Sequence, residues 1–306
     1  MSNELKPQEL ANAPLGQTSA YPESYDASLL FPIARSIGRQ QLSIQPTPSW
    51  YGEDVWRAFE VSWLNVKGKP EVAILRFTFP ADSKNIIESK SFKLYLNSFN
   101  QWRIDLIDLL KIMQRDLSDA VKAPVHITVE AADTPIKAVA RLTNNTPKQV
   151  WSLPTCANSD ELALEAILLD DLDIECSEYE PNIDLLAVLE PTEWRNETLI
   201  SELLKSNCPV TGQPDWASLV ISYKGPAIDH ASLLRYIVSY RNHSGFHEQC
   251  VEQIYCDIWQ RCKPSYLDVY ARYPRRGGLD INPRRRSEVS PELNAHVDQA
   301  VRTPRQ

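Results

Sequence analysis

A stiff loop over residues 206–216 carries the side chains best suited to covalent chemistry. Cys208 is followed by Pro209, and Asp215 is preceded by Pro214. Each proline fixes its own φ and pushes the residue before it toward extended geometry, and the Thr-Gly-Gln segment between them supplies a turn. A thiol and a carboxyl on one loop suit addition to an electrophilic carbon. A buried structural cysteine beside a capping aspartate explains the same loop.

A second candidate is the tetrapeptide Glu88-Ser89-Lys90-Ser91, which offers a carboxylate, two hydroxyls and an ammonium group. We expect it to lie just before a strand over residues 91–99. Small hydroxyls and a lysine at the start of an element suit contacts to phosphate or ribose. An ordinary charged loop has the same composition, so both interpretations stay open.

A third candidate, Phe246-His247-Glu248, opens a predicted helix. The helix dipole favours a glutamate in the first turn, so capping alone explains Glu248. Its carboxylate can also accept hydrogen bonds from an edge that carries amide and amine N–H groups, such as the edge of a guanine-like base. His247 taken alone is typical of a structural histidine.

A fourth candidate is Arg275-Arg276-Gly277-Gly278. Arginine binds phosphate bidentately, and glycine lets the backbone approach a ligand closely, so the segment suits a pyrophosphate or a 2′-phosphate. A solvated basic tail is the alternative, because six arginines lie within residues 272–286. No G-x-G-x-x-G or P-loop sequence occurs, so a nucleotide would bind without a Rossmann or P-loop fold.

Composition predicts a soluble globular protein of the cytoplasm. The 306 residues are 43% hydrophobic and 24% charged, which leaves room for two domains. No apolar run approaches the ~20 residues of a membrane span, and the N-terminus has no export signal. The net charge of −8 argues against direct nucleic-acid binding.

The cysteines predict free thiols and no metal site. None of the six forms a C-x-x-C pair, and no histidine completes a zinc-finger spacing. Cys250, Cys256 and Cys262 repeat every six residues on a predicted helix, so they point in different directions and cannot share one metal ion. Without an export signal, a reducing compartment is expected to keep these thiols free.

The order of predicted elements indicates an internal duplication. Each half has a strand, a segment with matching serines and aromatics, an amphipathic helix closed by a proline, and an alternating strand. In order, these are residues 71–79, 91–99, 102–117 and 125–129, and then residues 216–223, 232–240, 251–262 and 267–273. We predict an α+β fold of two modules, each an antiparallel sheet with helices on one face.

The predicted boundaries are a disordered lead-in over residues 1–25, a first module over residues 26–150 and a second over residues 151–306. Residues 141–200, acidic and rich in leucine, are interpreted as a connection with an extra helix. Cys208 and the His-Glu pair occur only in the second module, and the E-S-K-S motif only in the first. A site that needs all of these residues must therefore form between modules.

Together these motifs resemble the NADPH-dependent 7-cyano-7-deazaguanine reductases of queuosine biosynthesis, which are nitrile reductases. The resemblance rests on Glu88-Ser89-Lys90-Ser91-Phe92-Lys93-Leu94-Tyr95, on Cys208-Pro209 with Asp215, on Phe246-His247-Glu248 and on Arg-Arg-Gly-Gly. It is to the long, two-module form of the family. It implies tandem tunnelling-fold (T-fold) modules, assembled side by side as a homodimer.

The resemblance also implies residue roles. Cys208 adds to the nitrile carbon to give a thioimide, and Asp215 protonates the nitrile nitrogen. Two NADPH are consumed per nitrile, and the product carries an aminomethyl group. Substrate contacts are then expected from Ile87, Glu88, Ser89, Phe246, His247 and Glu248. Cofactor contacts are expected from Ser89, Lys90, Arg276 and Gly277.

Two other function classes stay open. A cysteine hydrolase acting on a nitrile or amidine would form the same thioimide and release it with water in place of hydride. A purine-binding module without catalysis would need no reactive thiol. Consumption of NADPH separates the reductase from the hydrolase, and alkylation of Cys208 without loss of ligand binding would favour the binding module.

Overall fold

A computed structural model describes residues 21–130 and 166–288, except residues 43, 46, 47 and 192. The predicted module boundary at residue 150 and residues 1–20 of the predicted lead-in lie outside these ranges. The last residue of that lead-in belongs to the packed structure. Tyr25 stacks on Trp102 with ring centroids 4.6 Å apart, and its hydroxyl donates to Asp116 at 2.6 Å.

One large sheet organises the protein. Its eight strands run in the spatial order β5-β3-β2-β10-β9-β8-β7-β6, and every neighbouring pair is antiparallel except β6 with β7. A separate pair joins β1 to β4. The strands are β1 (Pro32–Ala34), β2 (Tyr51–Leu64), β3 (Pro70–Pro80), β4 (Asn85–Ile87), β5 (His126–Glu130), β6 (Ala166–Leu168), β7 (Trp194–Asn207), β8 (Pro214–Pro226), β9 (Tyr266–Arg272) and β10 (Leu279–Arg286).

Helices pack against one face of this sheet. They are α1 (Arg35–Arg39), α2 (Ser89–Asn97), α3 (Leu106–Val121), α4 (His230–Ser239) and α5 (His247–Cys262), with short 3-10 turns at Ala27–Leu29, Leu169–Asp171, Ile183–Leu185 and Tyr240–Asn242. Alternate strand residues such as Leu75 and Phe77 share a core with the helices. The opposite face carries polar side chains such as Arg57 and Asp280. This confirms the predicted α+β class.

The predicted strand over residues 91–99 is wrong, because that segment forms most of helix α2. The Glu88 carboxylate accepts from the amides of Lys90 and Ser91 at 2.6 and 2.8 Å, which starts a helix there. Phe92, Tyr95, Leu96 and Phe99 then repeat at helical spacing and are all buried in the core of the first half. Residues 232–240 likewise belong mainly to helix α4.

The internal duplication is visible in matched contacts. Helices α3 and α5 begin at Leu106 and His247 and end at Val121 and Cys262, an offset of 141 residues at both ends. At the same offset, buried tyrosines bind aspartates on these helices. Tyr95 donates to Asp116 at 2.8 Å, and Tyr236 donates to Asp257 at 2.6 Å. In each half, the same tyrosine–aspartate hydrogen bond joins the short helix (α2 or α4) to the long helix (α3 or α5).

Two hydrophobic cores lie under the sheet, and strand β10 connects them. The second core is built on β7, β8 and β9 with helices α4 and α5, and the first on β2 and β3 with α2 and α3. Leu279 and Ile281 of β10 belong to the first core although they come near the end of the described chain. The first half therefore completes its core with the last strand.

The predicted connection over residues 141–200 is partly described. Residues 141–165 lie outside the described ranges. From residue 166 onward the stretch contains strand β6, two 3-10 turns and the first half of strand β7, and no α-helix among its described residues. The extra helix is thus absent from this part, and Leu169 is instead buried in the second core. No helix in the described part of the chain is both long and apolar enough to cross a membrane.

Candidate active site

One cavity is lined by most of the candidate residues, which come from both halves of the chain. Its wall includes eight of the predicted site residues: Ile87, Ser89, Cys208, Asp215, Phe246, His247, Glu248 and Arg276. The first two come from the first half, and the other six from the second. Because β10 pairs with β2, the two halves share one sheet, and the strand pairing fixes this junction.

Cys208 lies in the hairpin between β7 and β8, which holds it near Asp215. The Cys208 amide donates to the Gln213 carbonyl at 2.9 Å, and the Gly212 amide donates to the Cys208 carbonyl at 3.0 Å. Gly212 has φ +65°, which a glycine adopts easily. Cys208 is 8% exposed and Asp215 6%. The loop is therefore closed by its own backbone, with both side chains on the cavity wall.

The start of helix α5 is tied to the same hairpin. The Asn207 amide donates to the His243 carbonyl at 2.8 Å, and the Gly245 amide donates to the Asn207 carbonyl at 3.1 Å. Phe246 occupies the N-cap position, and Glu248 lies in the first turn with 4% exposure. Burial raises the pKa of the Glu248 carboxyl, and nearby Asp54 raises it further. Glu248 is thus a buried acceptor placed beside the thiol loop.

His247 is held flat against Tyr273. The two rings are stacked, with centroids 3.7 Å apart and an interplanar angle of 8°. Burial lowers the pKa of His247 to about 4, so the ring is neutral at neutral pH. Its Nε2 lies 3.4 Å from Oδ2 of Asp215, and its Nδ1 is buried without a hydrogen-bond partner among the described residues.

Asp215 is engaged by Arg276, which reaches it from the turn between β9 and β10. The guanidinium of Arg276 donates to Oδ1 of Asp215 and to the side-chain oxygen of Gln213. A neighbouring cation favours the ionised form of a carboxylate. In the free protein Asp215 is thus paired with a cation on the cavity wall.

The Arg276 turn is shaped by its glycines. Gly277 and Gly278 have φ values of +56° and +77°, and Arg276 and Leu279 exchange backbone hydrogen bonds across them. Such a two-residue turn requires positive φ at both central positions. A Cβ on Gly277 would lie 2.8 Å from Nζ of Lys93. Gly277 and Lys90 line a second cavity that adjoins the first.

Glu88 is the predicted substrate residue that the cavity wall does not include. It is fully buried, and both carboxylate oxygens already accept amide hydrogens at the start of α2. Burial raises its pKa, against the effect of these amides. Each carboxylate oxygen has a second lone pair. Oε1 also accepts from the Ser89 hydroxyl at 3.5 Å. The structure thus gives Glu88 a capping role, with one further acceptor position on Oε2.

Lys93 is a functional candidate that sequence reasoning missed. It lines both cavities, and burial lowers its pKa, with Arg276 contributing in the same direction. On helix α2, Ser89 and Lys93 are one turn apart and share a face, whereas the predicted strand began only at residue 91 and left Ser89 outside the element. Recognition of helix α2 would therefore have been the signal. Trp56 of β2 forms a further part of the wall.

The arginine cluster over residues 272–286 is not a solvated tail. Arg284 pairs with Asp268 at 2.5 Å, and Arg285 pairs with Asp54 and Glu252, both at 2.8 Å. The Arg275 guanidinium lies 4.3 Å from the ring centroid of Phe59. Most of the cluster thus serves the fold, and of the six it is Arg276 that reaches the cavity wall. Among the described residues no group of three or more histidines, cysteines or acids is placed to hold a metal ion.

Comparison with known proteins points to one family. Residues 21–129 match the family described as nitrile reductase, 7-cyano-7-deazaguanine-reductase N-term, and residues 214–292 match the family described as QueF-like protein. A protein of Albidiferax ferrireducens named NADPH-dependent 7-cyano-7-deazaguanine reductase is 53% identical over 90% of this chain and 93% of its own length. A protein of the same name from Burkholderia multivorans is 50% identical over 92% of this chain and 95% of its own.

A solved structure is also among the proteins to which this chain is similar. The apo form of an archaeosine synthase QueF-Like protein is 15% identical, covers 32% of this chain and 96% of its own, and has a TM-score of 0.27. The family assignment comes instead from the profiles and from relatives whose sequences match nearly end to end. The chain belongs to the NADPH-dependent 7-cyano-7-deazaguanine reductase family, a family of oxidoreductases.

Proposed function

We propose that this protein uses NADPH to reduce the nitrile of 7-cyano-7-deazaguanine to an aminomethyl group, a step of queuosine biosynthesis that supplies tRNA modification. The observation that carries the proposal is the cavity wall on which Cys208, Asp215 and Glu248 meet. Relatives about half identical to this chain bear the name of that activity. A nucleophile, a proton carrier and a buried acceptor are the three functions that this reaction needs from the protein.

The first step joins Cys208 to the substrate. Asp215, ionised beside Arg276, accepts the thiol proton, and the Cys208 sulfur then forms a bond to the nitrile carbon. The nitrile nitrogen becomes basic as that bond forms and takes the proton from Asp215. The product is a neutral thioimide, with the thiol hydrogen transferred to nitrogen. One carboxyl therefore acts as base and then as acid.

When bound, NADPH supplies the hydride that carbon needs at each of the two reductions. After the first, the carbon–sulfur bond breaks, Cys208 leaves as thiolate and an imine remains in the cavity. The enclosed wall around Phe246, Ile87 and Glu248 suits retention of this imine. After the second reduction the nitrogen takes a proton and the amine is complete. Two NADPH are consumed per nitrile.

Recognition of the heterocycle is assigned to the buried carboxylate and its neighbours. Glu248 accepts hydrogen bonds from the amide and amine edge of the base, and Glu88 can use the remaining lone pair of Oε2. Phe246 and Ile87 pack on the faces of the ring system. His247, neutral and stacked on Tyr273, offers Nδ1 or Nε2 to the substrate or to Asp215.

The residues fit a nicotinamide dinucleotide phosphate. Gly277 and Gly278 leave a cradle that a side chain would fill, because a Cβ on Gly277 would meet Lys93. Lys90, Lys93 and Arg276 place three cations around the two adjoining cavities. Ser89 adds a hydroxyl at the start of α2. Such a set suits the phosphates of the cofactor, with Arg276 assigned to the 2′-phosphate.

The assembly and location that the family resemblance implies are also proposals. We propose a cytoplasmic homodimer that acts on a small molecule without binding nucleic acid or membrane. Among the described residues the sheet ends at two short strands, β5 and β6, and an edge strand can pair with another copy. Light scattering of the purified full-length protein would give its mass in solution.

The reaction is tested by mixing the protein with 7-cyano-7-deazaguanine and NADPH. Loss of absorbance at 340 nm with two NADPH oxidised per aminomethyl product supports the reductase. Conversion of the nitrile without NADPH oxidation would identify a cysteine hydrolase instead. Without NADPH, mass spectrometry should find one added ligand mass on Cys208, and none in Cys208→Ala. Binding that survives alkylation of Cys208 with no turnover in the parent would leave a purine-binding module.

A further inference from the structure

A cluster of buried ion pairs lies one helical turn behind Glu248. Glu252 accepts from Arg39 at 2.8 and 3.0 Å and from Arg285 at 2.8 and 3.1 Å. Asp54 accepts from Arg35 at 2.5 Å and from Arg285 at 2.8 Å. Four of the five side chains are at most 3% exposed, and Arg39 is 23% exposed. The cluster joins α1, β2, β10 and α5 in the interior.

The charges of this cluster do not cancel. Three guanidinium groups, from Arg35, Arg39 and Arg285, meet only two carboxylates. Among the described residues, the buried donor of this cluster that lacks a hydrogen-bond partner is on Arg35. Its NH2 is held by Asp54, but its NH1 is buried with no hydrogen-bond partner among the described residues and lies 3.8 Å from Glu252. An uncompensated buried charge is costly, so a further anion is expected nearby.

Glu248, which is buried one turn before Glu252 on helix α5, is the candidate for that anion. Asp54 raises its pKa and Arg35 lowers it. With Glu248 ionised, the enlarged cluster is neutral. With Glu248 protonated, the positive charge of Arg35 is left unbalanced. The charge count thus gives a physical reason why Arg35 opposes the burial that raises the pKa of Glu248.

Helix α1 carries the Arg35 guanidinium and packs beside the start of helix α5. It follows strand β1, which is paired with β4 immediately before Glu88. It packs on the first turn of α5 through Gly38, where a Cβ would lie 2.3 Å from the side chain of Gln249. Gln249 in turn accepts from the Phe246 amide at 3.1 Å and so caps that helix. Close approach at Gly38 thus places α1, which carries Arg35, against the first turn of α5, which carries Glu248.

We propose that Arg35 is a positioning residue for substrate binding, which supplies from α1 the positive charge that keeps the Glu248 carboxylate able to accept hydrogen bonds from the base. This rests on the proposed function, because it assigns Glu248 the substrate edge. Arg35 itself is not on the cavity wall. It acts through Glu248, and Asp54 opposes it.

The charged and titratable surroundings of Glu248 set the expected signs. They are Arg35 on α1, Asp54 on β2, Arg285 on β10, His247 and Glu252 on its own helix, and Lys93, Cys208, Asp215 and Arg276 across the cavity. Binding requires ionised Glu248, so affinity falls as pH falls through the Glu248 pKa. Loss of Arg35 raises the pKa of Glu248. The acid limb, which is the part of the pH profile where nitrile affinity falls with acid, then moves to higher pH. Loss of the Asp54 charge does the reverse.

The experiment measures the dissociation constant of 7-cyano-7-deazaguanine by calorimetry between pH 5 and 9, without NADPH. Cys208→Ala serves as parent, so that no covalent adduct forms. We expect Arg35→Met to shift the acid limb upward by about one pH unit and Asp54→Asn to shift it downward. Arg39→Met is the matched control. It removes a partly exposed guanidinium from the same Glu252, and its limb should move by less than a third of the Arg35→Met shift.

A purely structural role for the cluster would weaken binding in both variants at every pH, without opposite shifts. This inference alone is overturned if affinity falls at the same acid pH in Arg35→Met and its parent. It is also overturned if Arg35→Met and Asp54→Asn shift that pH in the same direction. If Arg35→Met does not fold, the sign of the Asp54→Asn shift decides it. A parent that binds no nitrile at any pH overturns the proposed function, and this inference with it.

Discussion

Arg276 donates a hydrogen bond to Asp215 across 61 residues of sequence, so the candidate cofactor arginine and the candidate proton carrier are partners in the free protein. Both lie on the wall of the cavity that contains Cys208. A cofactor phosphate that draws the guanidinium away would leave Asp215 without its cation. The arrangement therefore links cofactor binding to the affinity of Asp215 for a proton.

Arg276→Ala is expected to raise the Michaelis constant for NADPH and to shrink the preference for NADPH over NADH. Loss of a hydrogen bond to a charged group costs about 1.5–3 kcal/mol, which is roughly tenfold to a hundredfold in that constant. Steady-state kinetics with both cofactors measures it. Arg275→Ala is the control, because it removes the same charge from a side chain that packs over Phe59. If both substitutions have the same effect, Arg276 makes no specific contact with the cofactor and contributes only to the general positive charge of the region.

Gly277→Ala is expected to weaken NADPH binding for a steric reason. At φ +56° an alanine is strained, and its Cβ would meet Lys93 Nζ at 2.8 Å. The strain should lower the free energy of unfolding by about 1–2 kcal/mol. Gly68→Ala, at φ +82° in the β2–β3 turn, should cost similar stability and leave the Michaelis constant for NADPH unchanged. If Gly277→Ala behaves like Gly68→Ala in both measurements, the turn does not contact the cofactor.

Glu248→Ala is expected to weaken nitrile binding by at least about tenfold, because two substrate donors lose their acceptor at about 1–3 kcal/mol each. Glu248→Gln keeps one acceptor oxygen and should lose less. Isothermal calorimetry in the Cys208→Ala background measures both. Affinities equal to the parent in both variants would reduce Glu248 to a residue that favours the start of α5.

His247 is expected to make stability fall with acid. Its pKa is about 4 in the folded protein and ~6.5 when unfolded, so between these values the unfolded chain binds the extra proton. Stability is then full above pH 6.5 and is lost as pH falls toward 4, by up to about 3 kcal/mol from this residue. His247→Phe keeps a ring against Tyr273 and removes the proton. Urea unfolding from pH 4 to 7.5 should show a shallower slope for it, and an identical slope would contradict the burial of a neutral His247.

The local features of the site could be predicted from sequence, and the long-range ones could not. Helical spacing in residues 102–117 and 251–262 and alternation in the strand residues gave the right elements, and Pro209, Gly212 and Pro214 indicated the turn after Cys208. The segment over residues 91–99 misled, because Tyr95 and Phe99 suit a strand as well as a helix by type alone. The decisive contact was the Glu88 cap, which a composition-based interpretation treats as a charged loop.

Partners that are distant in sequence explain the remaining errors. The arginines of β10 looked like a basic tail because their acids, Asp54, Glu252 and Asp268, are spread over the whole chain. The contribution of α1 was not predicted for the same reason. A five-residue helix has little periodicity, and its value lies in the contact of Gly38 with Gln249. Neither pattern is visible until the sheet brings the halves together.

The pairing of β10 with β2 has a consequence for synthesis on the ribosome. The Arg57 amide donates to the Asp280 carboxylate, 223 residues later in the chain. The first core also lacks Leu279 and Ile281 until strand β10 has been synthesised. The N-terminal half therefore emerges with an open sheet edge at β2 and an unfilled core, and stays so while the rest is translated. Pairings this distant in sequence form slowly, and exposed edges invite aggregation. Nascent chains of this protein should therefore depend on chaperones until residue 286 has left the exit tunnel.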